Sequence, residues 1–377
     1  MRFPAKLWNL LLLGLLLTLP LHRAQALLNF DGTRNQIFAF GHLTFGYSSN
    51  IFSDSTQRGD SNLAGEVGLE WDRRAGAIAV NAIAKIGYEH FFHFTDENST
   101  NPFFSLELVK GEGRATGSFM AGAFRESRSD SAINIRTRSW NYPLTLKIRY
   151  PFSDRFYGTS QSGYLRRTYS ADTPQLLNYR DYSEALDLFY IYTSKLDLVA
   201  GYRVRLSNVV GGPDTYDHWF SVGATGALLA KLNGSIRFGY EIRDIDTGPS
   251  YNHFNVVAAV NWTVTRKLTL TGQLSRDFNT LATGASVDTT LAALRANYSV
   301  TRKFEIEGGV AYGRNKFLNG NLAARRDDFF TADIGAHYKF NEHLRVGASY
   351  AYLRNWSTLD FSDFDRSGFS VDIASRF

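Results

Sequence analysis

The 377-residue chain has no cysteine and only eight prolines. Without cysteine there is no disulfide framework, no thiolate nucleophile and no cysteine-ligated metal. An exported chain with no cysteine also argues against a eukaryotic secreted domain. After residue 26 there is no apolar run of the roughly 20 residues that a membrane-spanning helix needs. An excess of one charge is missing as well. The chain carries 41 Lys and Arg against 36 Asp and Glu. Three of the basic residues (Arg2, Lys6 and Arg23) fall in the first 26 residues, which hold no acid, so the remainder has 38 against 36, or +2. That balance gives no argument for a nucleic-acid partner.

The first 26 residues read as a targeting segment. Arg2 and Lys6 form a basic start, Leu7 to Leu19 an apolar run too short to span a membrane, and Ala24-Gln25-Ala26 a small-x-small cleavage site. The expectation is a signal peptide over 1–26, cut between Ala26 and Leu27, followed by one domain over 27–377.

Aromatics and glycine are plentiful: 20 Tyr, 29 Phe and 32 Gly. The stretch NWTVTRKLTL at 261–270 returns 36 residues later as NYSVTRKFEI at 297–306, which marks one supersecondary unit copied along the chain. Each copy flanks its turn with residues that alternate in polarity. Phe304, Ile306, Gly308, Val310 and Tyr312 take one face, Glu305, Glu307, Gly309 and Ala311 the other, which is the period of a strand. The same alternation runs through 78–89, 232–243, 268–278 and 344–352. Connections alternate too. Short ones lie near 72–76, 151–154, 193–195, 263–266, 299–302 and 341–343. Longer ones, rich in Asp, Asn, Ser, Gly and Thr, lie at 48–61, 90–101, 127–138, 169–180, 206–216, 244–251, 279–287, 316–326 and 355–364. The count is about 18 strands of about 12 residues. The weak turn at Gly113–Thr116 leaves 16 as the alternative.

Strands of a soluble sandwich are about five or six residues long. Strands of this length, with short turns on one side and long loops on the other, fit a closed antiparallel transmembrane β-barrel with periplasmic turns and extracellular loops. The apolar face supports this. It ends in Trp71, Tyr150, Tyr192, Trp262, Tyr298 and Tyr338 before short turns, and carries Tyr88, Tyr202, Tyr240, Tyr312 and Tyr352 toward the long loops. Tyr and Trp favour the level where hydrocarbon meets headgroup. The segment from Phe304 to Tyr312 spans about 26 Å at about 3.3 Å per residue, close to the apolar band of such barrels. The final SGFSVDIASRF sets Phe369, Val371, Ile373 and Phe377 on one face. It resembles the terminal strand by which the barrel assembly machinery recognises bacterial outer-membrane proteins.

Residues 45–71 (FGYSSNIFSDSTQRGDSNLAGEVGLEW) and 350–377 (YAYLRNWSTLDFSDFDRSGFSVDIASRF) resemble the putative beta-barrel porin type 2 family, with Asn50-Ile51-Phe52 at the start of the first loop. The resemblance implies a barrel integral to a Gram-negative outer membrane, among phospholipid and lipopolysaccharide. It carries no catalytic motif, and some members are associated with exopolysaccharide production.

The polar face is the candidate functional surface. Its basic set is Lys85, Lys147, Arg149, Arg203, Arg205, Arg237, Arg243, Arg295 and Arg345. Its acidic set is Glu66, Glu70, Glu89, Asp187, Glu241, Asp277, Glu305, Glu307, Asp333 and Asp372. The near-balance predicts weak ion selectivity. Arg203, Arg205, Arg237, Arg243 and Arg295 form a ladder that either attracts anionic solutes or pairs with Glu241, Glu305 and Glu307 to stiffen the wall. His90 and His93, three apart on a strand, point to opposite faces and do not suit a shared metal. His337 and Asp333 are about 13 Å apart by strand rise. No cofactor is expected. The function expected is passive diffusion of small hydrophilic solutes, with export of an acidic exopolysaccharide as the alternative and a barrel hydrolase behind both. A band of small residues, Gly234, Gly272, Gly308 and Ala348, sits at one level of the outward face, suited either to a flat-lying lipid group or to sheet curvature.

Overall fold

The structure, a computed structural model, describes residues 28–30, 34–74, 76–170, 176–319 and 324–377. The expected leader and its cleavage point at Ala26 and Leu27 lie outside the described residues. A short strand, β1 (Leu28–Phe30), leads into β2 (Asn35–Ser48) and pairs with it. There follow β3 (Asp60–Arg73), β4 (Ala79–Phe91), β5 (Ser99–Lys110), β6 (Thr116–Asp130), β7 (Ile135–Pro151), β8 (Phe156–Tyr169), β9 (Tyr179–Thr193) and β10 (Leu196–Val209). The second half holds β11 (Thr215–Leu229), β12 (Leu232–Ile245), β13 (Tyr251–Thr263), β14 (Leu268–Thr280), β15 (Ser286–Ser299), β16 (Phe304–Phe317), β17 (Arg326–Lys339), β18 (Leu344–Ser357) and β19 (Phe364–Arg376).

Each strand from β2 to β19 pairs antiparallel with its sequence neighbour, and β19 pairs with β2 from Gly368↔Ser48 to Arg376↔Phe40. The result is a closed barrel of 18 strands, which removes the alternative of 16. At a strand spacing of about 4.8 Å and a tilt of about 36°, the backbone ring is roughly 34 Å across. The seam is fastened at its end: Ala39 and Phe377 exchange both backbone hydrogen bonds at 2.9 and 2.8 Å, and the Phe377 ring stacks on His343.

The repeated turn has a local cause. Thr265 Oγ1 accepts from the N–H groups of Lys267 and Leu268 at 3.2 and 3.0 Å, and Thr301 Oγ1 accepts from Lys303 and Phe304 at the same distances. Ser153 and Asn341 close their turns alike. These side chains take up donors that the tight turn leaves unpaired. The lysine has a second task. Lys267 Nζ donates to the Val300 carbonyl of the next turn at 2.8 Å, and Lys303 Nζ to that of Phe340 at 3.2 Å. Each copy of the motif therefore closes its own turn and ties it to the following one.

The barrel is apolar on its outside. Leu69, Ile86, Leu186, Leu188, Val222, Phe238, Leu294, Val310 and Ile334 are all exposed. Two aromatic levels border this band. Trp71, Tyr150, Tyr192, Trp262, Tyr298 and Tyr338 lie toward the short turns, Tyr240 and Tyr312 toward the loops, all exposed, with Tyr88, Tyr202 and Tyr352 partly so. The register gives an independent check of the upper level. Tyr312 leads across the ladder through Ala292, Leu274 and Ala258 to Ile236, four residues below Tyr240. Four residues of rise over four strand spacings is a tilt of about 35°, within the range of outer-membrane barrels. Tyr240 and Tyr312 are thus at one height.

The loops depart from expectation. The segment 127–138 is not a long loop: β6 runs to Asp130 and β7 starts at Ile135. The connections at 210–214, 246–250 and 281–285 are also shorter than predicted. Strands continue past the membrane, so polar loop composition marked emergence from lipid rather than the end of a strand. Most fully buried residues cluster at this outer end. They include Asn50, Ser53, Asn134, Phe278, Val287, Phe317, Arg325, Asp327, Ser362 and Phe364. The core of the barrel is therefore a roof over its mouth.

Deleting Phe377 removes two backbone hydrogen bonds, each of about 0.5–1.5 kcal/mol, where first and last strands meet. The expected result is less membrane-extracted protein with folded mobility in unboiled gels. Wild-type yield would mean that the seam is held elsewhere.

Candidate functional site

The expected inward charges form contacts that are possible only on the concave side. β10 and β14 are four strands apart, about 19 Å along the wall. Yet Arg203 of β10 reaches Asp277 of β14 at 2.8 Å, passing Glu241 of β12 at 2.8 Å. Arg205 meets Asp217 at 2.6 Å and Asp277 at 3.3 Å. Arg243 grips both carboxylate oxygens of Asp217 at 2.6 and 2.7 Å. Arg237 holds Asp187 in the same two-pronged way at 2.7 and 3.0 Å. Arg276 pairs with Asp288 at 2.6 Å, and His253 sits between Glu241 at 3.2 Å and Asp288 at 3.7 Å.

The predicted arginine ladder is therefore not a row of free cations. Arg203 does pair with Glu241, as the stiffening alternative has it, but Glu305 bonds Lys339 at 3.1 Å and Glu307 meets His337 at 3.2 Å. Arg295 turns to Asp333 at 3.0 Å, with Glu307 at 3.9 Å. Lys85 pairs with Glu66, Arg376 with Glu70, Arg136 with Glu89, and His42 with Asp372. Arg149 lies over the Tyr157 ring at 4.0 Å, and Lys147 and Arg345 have no ion pair among the described residues. Of the two grounds for an acidic-polymer exporter, the arginine ladder is therefore largely paired; the family resemblance is unaffected.

Exposure of the inward charges changes along the barrel axis. Near the periplasmic turns the side chains of Arg295, Glu305 and Glu307 are 40–45% exposed. Toward the outer mouth Arg243 and Glu241 are 0% exposed and Asp217 1%. These inward charges are open to solvent near the short turns and closed off from it at the outer mouth.

Two hairpins produce the exclusion. The tip between β6 and β7 reaches across the ring. Asn134 donates to the Ser53 carbonyl at 2.5 Å and accepts from Ser362 Oγ. Arg325, half the ring away, donates to the Ala132 carbonyl at 2.6 Å while paired with Asp327 at 2.6 Å. Arg366 reaches Ser129 and Ser53 at 2.6 and 2.9 Å. The tip between β14 and β15 turns inward as well. Leu177 donates to the Ala282 carbonyl at 2.7 Å, and Ala285, Val287 and Phe317 pack with Ala132 and Leu281.

Among the described residues, His42 does not form a proton relay of the triad kind. His42 meets Thr44 at 3.4 Å and Asp372 at 3.5 Å, but both through Nε2, whereas a base held by an acid uses its two ring nitrogens separately. His90 and His93 stand apart, the first against Phe92 and the second against Asp60 at 2.9 Å. On the outward face the small-residue band has two parts. Gly226 and Gly234 are register partners with positive φ, and a side chain at Gly234 would strike the Ala259 carbonyl, so there glycine serves a sharp twist. Gly272 instead floors a shallow groove of about 420 Å³ with Ala258, Ala292 and Leu294.

Asp217 was missed by the sequence reading because its partners sit on β10 and β12; only its inward parity on β11 pointed to it. Asn134 and Arg325 carried no signal, since both lie in stretches read as loop.

Residues 214–377 match the family described as Putative beta-barrel porin 2. No curated protein matches the chain. Among solved structures, the fold is similar to OpdK of Pseudomonas aeruginosa, solved with vanillate, at a TM-score of 0.52 and 12% identity over 90% of this chain and 99% of that one. It is also similar to OccK5 (OpdH) of the same organism, at 0.51 and 11%, over 90% and 98%. The chain has the fold of bacterial outer-membrane β-barrels, and its C-terminal part resembles that porin family.

Replacing Asp217 by Asn leaves Arg205 and buried Arg243 without their main anion, a loss of about 3–5 kcal/mol. Asp333→Asn, whose partner Arg295 is well exposed, should lose about 0–1 kcal/mol. Denaturant unfolding in detergent, followed by tryptophan fluorescence, measures both. Equal losses would contradict the exposure gradient.

Proposed function

We propose that the barrel is a passive channel for small hydrophilic solutes, filled from the periplasm and held nearly shut at its outer mouth. The observation that carries this reading is the exposure gradient. Inward charges near the short turns are 40–45% exposed, whereas Arg243, Glu241 and Asp217 at the outer mouth are 0–1% exposed. A wall built only to stiffen the sheet has no need of a solvent-open end. A porin-like barrel with a built roof is suited to admit solutes when the roof yields.

Charge contributes little to selection in this scheme. Most inward arginines and acids neutralise each other at 2.6–3.3 Å, so the lumen presents neither sign strongly. We read the barrel as a channel rather than an enzyme, because its histidines and acids serve these pairs.

The test is planar-bilayer recording. Wild-type protein should show small, infrequent openings with a reversal potential near zero in a salt gradient. Asn134→Ala unpins the β6–β7 tip from Ser53 and Ser362 and should raise mean conductance several-fold. Silence from both proteins, each shown to be folded by its unboiled mobility, would remove the channel reading.

A further inference from the structure

The shortest ladder of the ring joins β13 to β14. It has six register pairs, from Ala258↔Leu274 to Thr263↔Thr269, although both strands run on outward. Tyr251–Val257 pair with β12 alone, and Ser275–Thr280 with β15 alone. The break begins about one residue pair below the height of the upper tyrosines, where lipid gives way to headgroups and water. An unpaired edge is tolerable there and would not be deeper.

Inner-wall side chains occupy the carbonyls that β14 would otherwise offer to β13. Asn255 donates to that of Arg276 and Arg205 to that of Phe278, while Arg243 adds a bond to the Asn279 carbonyl on the β15 side at 2.9 Å. Asp277 is held by Arg203 and Arg205, and the Phe278 ring lies on His253 at 4.2 Å. The upper part of β14 has left the wall and lies across its inner face, taking the β14–β15 tip to Leu177 of the β8–β9 connection, five strands round the ring.

The two vacant edges remain matched. Carrying the register upward sets Val256 opposite Arg276, Asn255 opposite Asp277, Phe254 opposite Phe278 and His253 opposite Asn279. Inward polar residues then meet inward polar residues. Phe254, now 80% exposed on the outer surface, gains Phe278 as a neighbour in the aromatic level, and Phe278 leaves a site where it is 1% exposed.

We propose that the β14–β15 hairpin is a gate arm with two resting positions: folded across the mouth by the arginine network, or zipped to β13 in the continued register with the mouth cleared. This rests on the channel reading above and names its moving part. The first position replaces part of the ladder with side-chain bonds to the Arg276 and Phe278 carbonyls, groups that the zipped state would return to β13.

The absence of cysteine permits a clean test by paired substitution. Phe254→Cys with Phe278→Cys faces opposite sides of the sheet in the folded-in position and is juxtaposed only when zipped. Leu177→Cys with Ala282→Cys captures the folded-in position. Ala258→Cys with Leu274→Cys, already paired, is the control for oxidation and folding. Disulfide formation in membranes is read by mass after alkylation, without reference to conductance. The expected result is that both test pairs cross-link. In bilayers, the 254–278 bond should raise conductance several-fold and the 177–282 bond suppress openings, both reversed by reductant. Failure of the 254–278 pair to form while the control forms overturns the zipped state. Formation of both bonds without change in conductance, in a protein that does conduct, overturns the gate and leaves the channel standing.

Discussion

The requirement that every backbone N–H and C=O within hydrocarbon be paired governs this molecule. An open sheet of such long strands would carry two bare edges into lipid. The β19–β2 ladder, finished by the Ala39–Phe377 exchange, leaves none. Closure then dictates the rest of the distribution. Apolar side chains face outward because their surroundings are lipid tails, and polar ones face a lumen too wide for 18 strands to fill with side chains. A conventional core has no place in the membrane section, and the buried residues gather where the strands emerge.

The same requirement lapses at the outer rim. Once water or polar side chains can serve backbone groups, strands are free to leave the ladder, and two hairpins do so. Their packing is the nearest thing to a globular domain in the chain, with Phe278, Val287 and Phe317 as its apolar centre. Ionised groups are costly to bury unless they are paired and hydrogen-bonded. Arg243, Asp217 and Glu241 meet that condition by forming one continuous network with Arg203, Arg205 and Asp277. The network is therefore a condition of the roof's being dry. Stripping one anion from it threatens the fold before it threatens any transport property.

What the sequence disclosed was whatever repeats or alternates locally. Period-two patterning gave the strands, their number and their faces, and the VTRK copies marked turns whose threonines and lysines act within one or two hairpins. The tyrosine levels were legible because lipid imposes a common height on every strand. The roof was not legible, because it depends on curvature. Alternation says that Arg203 and Asp277 both point inward, but only ring closure brings strands four apart within reach. Ser131–Asn134 looked like loop because polar composition records that a segment meets water, and a hairpin that folds back over the mouth meets water on one side as any loop does. The small-residue band failed for a related reason. Gly234 and Gly272 share a register row, which the strand tilt sets at different heights, and they answer to different neighbours, one a crossing carbonyl and the other a gap between side chains.

These relations also bear on how such a barrel discriminates among solutes. A lumen lined by unneutralised charge selects by sign at every level a solute passes. Here the arginines of the upper half are spent on structure, and Lys147, Arg149 and Arg345, cations without an ion pair among the described residues, lie on β7 and β18. A field from a few such cations in solvent-accessible space is screened within about 8 Å at physiological salt. Size exclusion at the roof then outweighs electrostatic preference below it. The roof's aperture depends on hairpin position, so the groups that set selectivity are those that hold the hairpins. In the proposed channel, Asn134, Arg325, Arg205 and Arg243 would govern passage by fixing where the backbone lies, without lining the path themselves.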